Sequence, residues 1–217
     1  MNIEQARFNM IEQQIRPWDV LDGGVLEVFG LIQRELFVPP AHKALAFADL
    51  EVPLPGGQSM LAPKVEARML QDAALVGGEK VLEVGTGSGY MAALLAHRAA
   101  QVISLEIVPE LVTLAASNLS QAGIHNVQVR QADGSNGAVL DGPFDVIVLS
   151  GSVMEVSTAL LDQLKIGGRL VAIVGDDPVM RGTVVTRTTA HTYTTSQRWD
   201  YLAPRLQHFP EPSRFTL

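Results

Sequence analysis

Apolar positions along the chain follow two rhythms, and the change between them divides it into three regions, with breaks near residues 78 and 177. Phe8, Ile11 and Ile15 recur at helical spacing, and Val25, Leu26, Phe29 and Ile32 make a second helical stripe. Pro39, Pro40, Pro53 and Pro55 then break the pattern into a loop-rich stretch. A further helix is predicted to start at Pro63, whose fixed φ and missing N–H suit a first helical turn, and to run through Val65, Met69 and Leu70. Over residues 80–174 short apolar runs alternate with helical periods, the signature of a parallel sheet covered on both faces. The pattern predicts strands at 81–84, 102–105, 127–129, 146–149 and 170–174, and helices at 90–97, 109–121 and 155–165. The last helix shows Val156, Ala159, Leu160 and Leu164 on one face and is expected to stop at Gly167-Gly168. Val184, Val185, Tyr193 and residues 199–202 read as closing strands, and residues 204–212 as a loose tail.

Composition narrows the function classes. The 217 residues, 47% of them hydrophobic, suffice for one well-cored domain with a modest extension. With 16 Lys and Arg against 23 Asp and Glu, the net charge of -7 opposes a large phosphate-binding surface, so no nucleic-acid partner is expected. Cysteine is absent, and the five histidines His42, His97, His125, His191 and His208 show no ligand spacing, so neither disulfides nor a metal site is expected. No stretch approaches the ~20 apolar residues of a membrane span, and residues 1–10 lack the apolar core of a signal peptide. A cytoplasmic protein without a membrane partner is the resulting expectation, as a monomer or weak homodimer.

The chemistry concentrates in Glu83-Val84-Gly85-Thr86-Gly87-Ser88-Gly89-Tyr90. A strand that turns through three glycines into a helix leaves its backbone open to a ligand, and the helix start favours an anionic group. The dinucleotide fingerprint wants a third glycine five residues after the first, where this chain has Tyr90, so S-adenosylmethionine suits the turn better than a nicotinamide cofactor. Glu106, followed by Ile107, ends the second strand, where a carboxylate can accept both ribose hydroxyl protons. Asp133-Gly134 follows the third strand, placed for the adenine amino group.

With these residues in place the chain resembles the protein-L-isoaspartate O-methyltransferase family of class I methyltransferases. The similar segments are Gln14-Ile15-Arg16, Arg34-Glu35-Leu36-Phe37-Val38-Pro39, Ala48-Asp49, Pro53-Leu54-Pro55 and Gly57-Gln58-Ser59. Beyond the glycine turn come His125-Asn126-Val127, Asp133-Gly134, Pro143-Phe144-Asp145 and Gln163-Leu164 before Gly167-Gly168. The resemblance implies an α/β fold with a doubly wound, mostly parallel seven-stranded sheet in residues 78–217, and a helical extension in residues 1–77 covering the cofactor. It implies transfer of methyl from S-adenosylmethionine to the carboxylate of an L-isoaspartyl residue in a damaged protein. The implied cofactor residues are Gln58, Ser59, Glu83, Gly85, Thr86, Gly87, Ser88, Gly89, Tyr90, Glu106, Ile107, Asp133 and Gly134, with Ser59 also the candidate catalytic residue. A carboxylate nucleophile, with a pKa of about 4, needs no general base at neutral pH.

Three departures fall near the acceptor side. Leu61 stands where the family has the serine credited with handling substrate, Ser150-Gly151-Ser152-Val153 replaces an Ala-Ala-Pro segment, and Asp176-Asp177-Pro178 replaces a glycine and glutamine pattern. They leave open a relative that methylates another small-molecule or protein acceptor, and a cofactor-binding protein without turnover. If residues 40–62, punctuated by proline and glycine, close over the cofactor, they are expected to be the most mobile part of the cofactor-free protein. Trp18 and Trp199 are read as packing anchors, and Arg16 as a brace for the amino-terminal segment.

Overall fold

The computed structural model describes residues 2–211. The chain opens with α1 (Ile3–Met10), which runs on through a wide turn at Ile11–Ile15, and α2 (Gly23–Leu31). Asn2 and Asp22 cap these helices, each side-chain oxygen accepting the N–H three residues on. A small hairpin of β1 (Val52–Pro53) and β2 (Ser59–Met60) leads into α3 (Pro63–Ala73), with Pro63 in its first turn. Then follow β3 (Lys80–Val84), α4 (Tyr90–Arg98), β4 (Gln101–Glu106), α5 (Pro109–Gln121) and β5 (Val127–Gln131). The chain continues through β6 (Phe144–Val153), α6 (Thr158–Leu161), β7 (Leu164–Asp176), β8 (Val179–Arg187) and β9 (Tyr193–Asp200).

These last seven strands form one sheet in the order β5-β4-β3-β6-β7-β8-β9. It is parallel from β5 to β7 and antiparallel where β8 and β9 are added. The chain winds from β3 outward to β5 and returns on the other side of β3 as β6. The carboxyl ends of β3 and β6 therefore part at a topological switch point, the place where open sheets of this kind bind ligands.

Strand alternation divides the interior. Val81, Val102, Val146 and Val148 face a cluster that also holds Met10, Phe29, Phe37, Val65 and Leu95. Leu82, Ile103, Ile147 and Leu149 face a second cluster closed by Leu160 and Phe209. The amino-terminal region thus shares the core of the sheet. Among the described residues no helix is long and apolar enough to cross a membrane.

The structure corrects four expectations. The helix expected over 155–165 shrinks to α6, because only Leu160 and Leu164 of its four apolar positions are fully buried and Leu164 already pairs with Phe144 in the sheet. Gly167-Gly168 lies inside β7, where the register with β6 shifts, instead of ending a helix. The tail expected to be loose is ordered over 204–209: the Ser152 N–H donates to the Pro204 carbonyl, the Leu206 N–H donates to the Ser152 carbonyl, and Phe209 is buried. Pro212 lies outside the described residues. Among the described residues Arg16 pairs with Glu12 alone, one turn back on an exposed face, so this ion pair stays within its own helix.

Trp18 and Trp199 do pack as anchors, with ring centroids 5.3 Å apart. Trp199 Nε1 also donates to Asp72 Oδ2 on α3 at 2.7 Å, tying the sheet edge to the amino-terminal layer. The indole lies flat over Gly182, its cross-strand partner on β8, where a Cβ would sit 2.1 Å from the ring. Gly182→Ala must displace the indole, and overpacking of this kind costs about 2 kcal/mol. The expected fall in melting temperature is roughly 4–8 °C; an unchanged melting curve would show that the indole moves at no cost.

Candidate active site

A cleft of about 630 Å³, counting its open mouth, lies at the switch point. Its floor is the turn after β3, where Gly85 (φ +91°) and Gly87 (φ +55°) take left-handed conformations that disfavour side chains. A Cβ at Gly85 would lie 2.8 Å from Leu206, and one at Gly134 2.3 Å from Val84, so these walls admit no larger residue. Glu106, at the end of β4, is nearly buried and fixed by two backbone donors: Gly87 N–H to Oε2 at 2.8 Å and Val108 N–H to Oε1 at 2.9 Å. Asp133 follows β5. Its carboxyl sits below the ordinary range because, against a desolvation that raises it, the Ser135 N–H and His208 stabilise the charge.

Of the residues expected from sequence, Gln58, Ser59, Gly85, Gly87, Glu106, Ile107, Asp133 and Gly134 line this cleft. Thr86, Ser88 and Tyr90 line a smaller inner recess that shares Ser59, Gly85 and Gly87 with it. Tyr90 is buried there, its ring under the Arg34 guanidinium at 4.8 Å and beside Phe29 and Phe37. Gly89 lines neither space; its left-handed turn starts α4, where Ala115 on α5 leaves no room for a side chain. Glu83 is also absent from both. It points toward the amino-terminal layer with Ser104 and Ser150, because these three occupy the same face of adjacent strands.

Glu83 is fully buried, with Oε2 2.6 Å from Ser104 Oγ and Oε1 2.8 Å from Ser150 Oγ. Thr86 Oγ1 continues the chain of hydroxyls, 2.5 Å from Ser104 Oγ. Burial pushes the Glu83 carboxyl up to about 8, against the pull of the two serine hydroxyls and with a further push from Glu106 and Glu66. Between its ordinary 4.5 and about 8 the folded chain keeps a proton that the unfolded chain has released. The Glu83 contribution to stability is therefore full below the lower value and lost as pH rises through the upper one. E83Q removes this dependence, so its melting temperature relative to the parent chain is expected to rise as pH is taken from about 5 to 9. A difference that stays constant would mean that Glu83 is ionised in the fold.

The protein-L-isoaspartate(D-aspartate) O-methyltransferase family profile matches residues 5–198. A protein-L-isoaspartate O-methyltransferase of Gloeobacter violaceus is 41% identical over 180 residues, covering 82% of this chain and 88% of that one. The chain belongs to this family. A second relative, protein-L-isoaspartate O-methyltransferase 2 of an Anaeromyxobacter strain, is 40% identical and covers 93% of this chain and 81% of its own length. A Plasmodium falciparum protein-L-isoaspartate O-methyltransferase solved in complex with S-adenosyl-L-homocysteine superposes with a TM-score of 0.78 over 95% of this chain and 99% of that one. At 20% identity that likeness shows the fold.

Of the positions at which this protein-L-isoaspartate O-methyltransferase family member was expected to depart from the pattern, Leu61, Ser150 and Gly151 line the cleft. Leu61 lines both the cleft and the recess with an apolar side chain, while its carbonyl accepts from Arg34 Nη2 at 2.7 Å. Arg34 is completely buried and pairs with Glu66 on α3. Burial raises the Glu66 carboxyl to about 7, and Arg34 opposes that rise. Ser59 reaches Glu51, whose carboxyl is raised by burial and pulled down by hydrogen bonds from Tyr201 and Ser59. Residues 40–62 are more firmly seated than their prolines and glycines suggest, since Ala46, Phe47, Val52, Leu54 and Met60 are all buried. Sequence reading missed residues 204–209, which form the opposite lip. No periodicity marks the segment.

Proposed function

We propose that this chain transfers the methyl group of S-adenosylmethionine to the free carboxylate of an L-isoaspartyl residue in a damaged protein or peptide. The observation that carries the acceptor class is the lining of the cleft: among the described residues it includes no lysine and no histidine. A hydroxyl acceptor would need a base there to take its proton, and an amine protonated at neutral pH would need one to free its lone pair, whereas a carboxylate arrives ionised.

The cleft residues fit the donor. Glu106 offers a fixed carboxylate to a ribose diol, Asp133 offers one to an exocyclic amine, and Gly85, Gly87 and Gly134 line the cleft without side chains. When bound, S-adenosylmethionine supplies a methyl group on a positively charged sulfur. The residues of the chain then have three tasks. Glu106 and Asp133 fix the donor's orientation, Gln58 to Leu61 and Pro204 to Leu206 close the two lips and exclude water, and the gap between them aligns the acceptor with the reacting carbon. Leu206, against Gly85 and Gly151, supplies the apolar contact of the second lip.

A carboxyl methyl ester is labile to base, so methanol release from the product at alkaline pH tests the linkage directly. Methyl groups released as methanol from an isoaspartyl peptide are the expected result. Base-stable incorporation would identify a nitrogen or ether linkage and reject the proposal.

A further inference from the structure

We propose that the Ser150 hydroxyl is the donor that holds the acceptor carboxylate in the cleft, set in orientation from behind by Glu83. This rests on the isoaspartyl reading above and assigns a positioning group to it. Ser150 lies on β6 at the switch point and lines both the cleft and the inner recess.

An ionised acceptor brings lone pairs and no proton, so it needs a donor in the wall. Apart from Gln207 at the lip, the other polar side chains of the cleft are spoken for, the Gln58 amide donating to the Gly56 carbonyl. Leu61 has no donor, Ser59 is bonded to Glu51, and Glu106 and Asp133 are carboxylates. Arg205 lends its guanidinium to the Gly175 carbonyl and to Asp176.

Proton counting gives Glu83 its part. When Glu83 is ionised, Ser104 and Ser150 both donate to it, and Ser150 can only accept from the cleft. When Glu83 carries a proton on Oε1, it donates to Ser150 Oγ, which frees the serine hydroxyl to donate to the acceptor. The charged groups around Glu83 are Glu106 from β4 and Glu66 from α3, the latter paired with Arg34. Two neighbouring acids favour the protonated form that the arrangement needs.

Steady-state kinetics with an isoaspartyl peptide, together with calorimetry of S-adenosylhomocysteine binding, test this on the full chain and on S150A and E83Q. S150A is expected to raise the acceptor KM about tenfold or more while leaving S-adenosylhomocysteine affinity within about twofold. E83Q presents an amide N–H to Ser150 and a carbonyl to Ser104. It should keep a near-normal KM and abolish the rise in KM that is expected of the parent chain above about pH 8. An unaltered KM in S150A, a parallel loss of S-adenosylhomocysteine affinity, or an E83Q that behaves like S150A would each overturn the assignment. If the parent chain leaves isoaspartyl peptides unmethylated, the reading beneath fails first, and that outcome is visible before any variant is made.

Discussion

Replacing Glu106 by alanine is expected to lower donor affinity by about 100-fold or more. Its carboxylate already accepts the Gly87 and Val108 N–H groups, at 2.8 and 2.9 Å, so its remaining lone pairs face the cleft in a fixed direction. Two ribose hydroxyls bonded to a charged acceptor are worth about 1.5–3 kcal/mol each, and the two together correspond to factors of roughly 10² to 10⁴. The same change frees the Gly87 turn, which lowers affinity further. Calorimetry with S-adenosylhomocysteine measures the loss, with a melting curve to show that the variant is folded. A folded E106A that binds with the parent's affinity would reduce Glu106 to a staple for the glycine turn.

Arg34→Met is expected to cause the largest loss of stability, about 3–5 kcal/mol, or roughly 10 °C in melting temperature. Arg34 and Glu66 are both buried, and removal of the cation leaves a carboxyl to be buried alone or protonated. The Leu61 carbonyl loses its partner in the same step, so backbone exchange in residues 58–62 should speed up more than in the sheet. The double variant R34M/E66L replaces the pair by apolar groups and should recover much of the loss. A double variant as unstable as R34M alone would place the cost in the packing against Tyr90 instead of in the ion pair.

The sheet and the glycine turn were legible because both are written locally. Alternating apolar runs mark β3, β4 and β6, and three glycines between Glu83 and Tyr90 can serve few purposes besides a ligand turn. What sequence could not show is contact between distant segments. Leu164 carries a helical period with Leu160, yet Phe144 claims it for the sheet twenty residues away, and so the helix over 155–165 shortens. Glu83 reads as a cofactor acid from its place before the glycines. Its direction is set by the pairing of β3 with β4 and β6, which turns it toward Ser104 and Ser150. The segment 204–209 has no periodicity to mark it, because its order comes from Ser152 and from burial of Phe209. Residues 40–62 carry loop-forming prolines, but their scattered apolar side chains find the core one at a time.

The most direct test of the account is transfer of labelled methyl from S-adenosylmethionine to a short peptide containing L-isoaspartate, beside its normal-aspartate twin, with donor binding measured on the same sample. The account predicts donor binding and methylation of the isoaspartyl peptide alone. Donor binding with neither peptide methylated, or with both methylated equally, would contradict it.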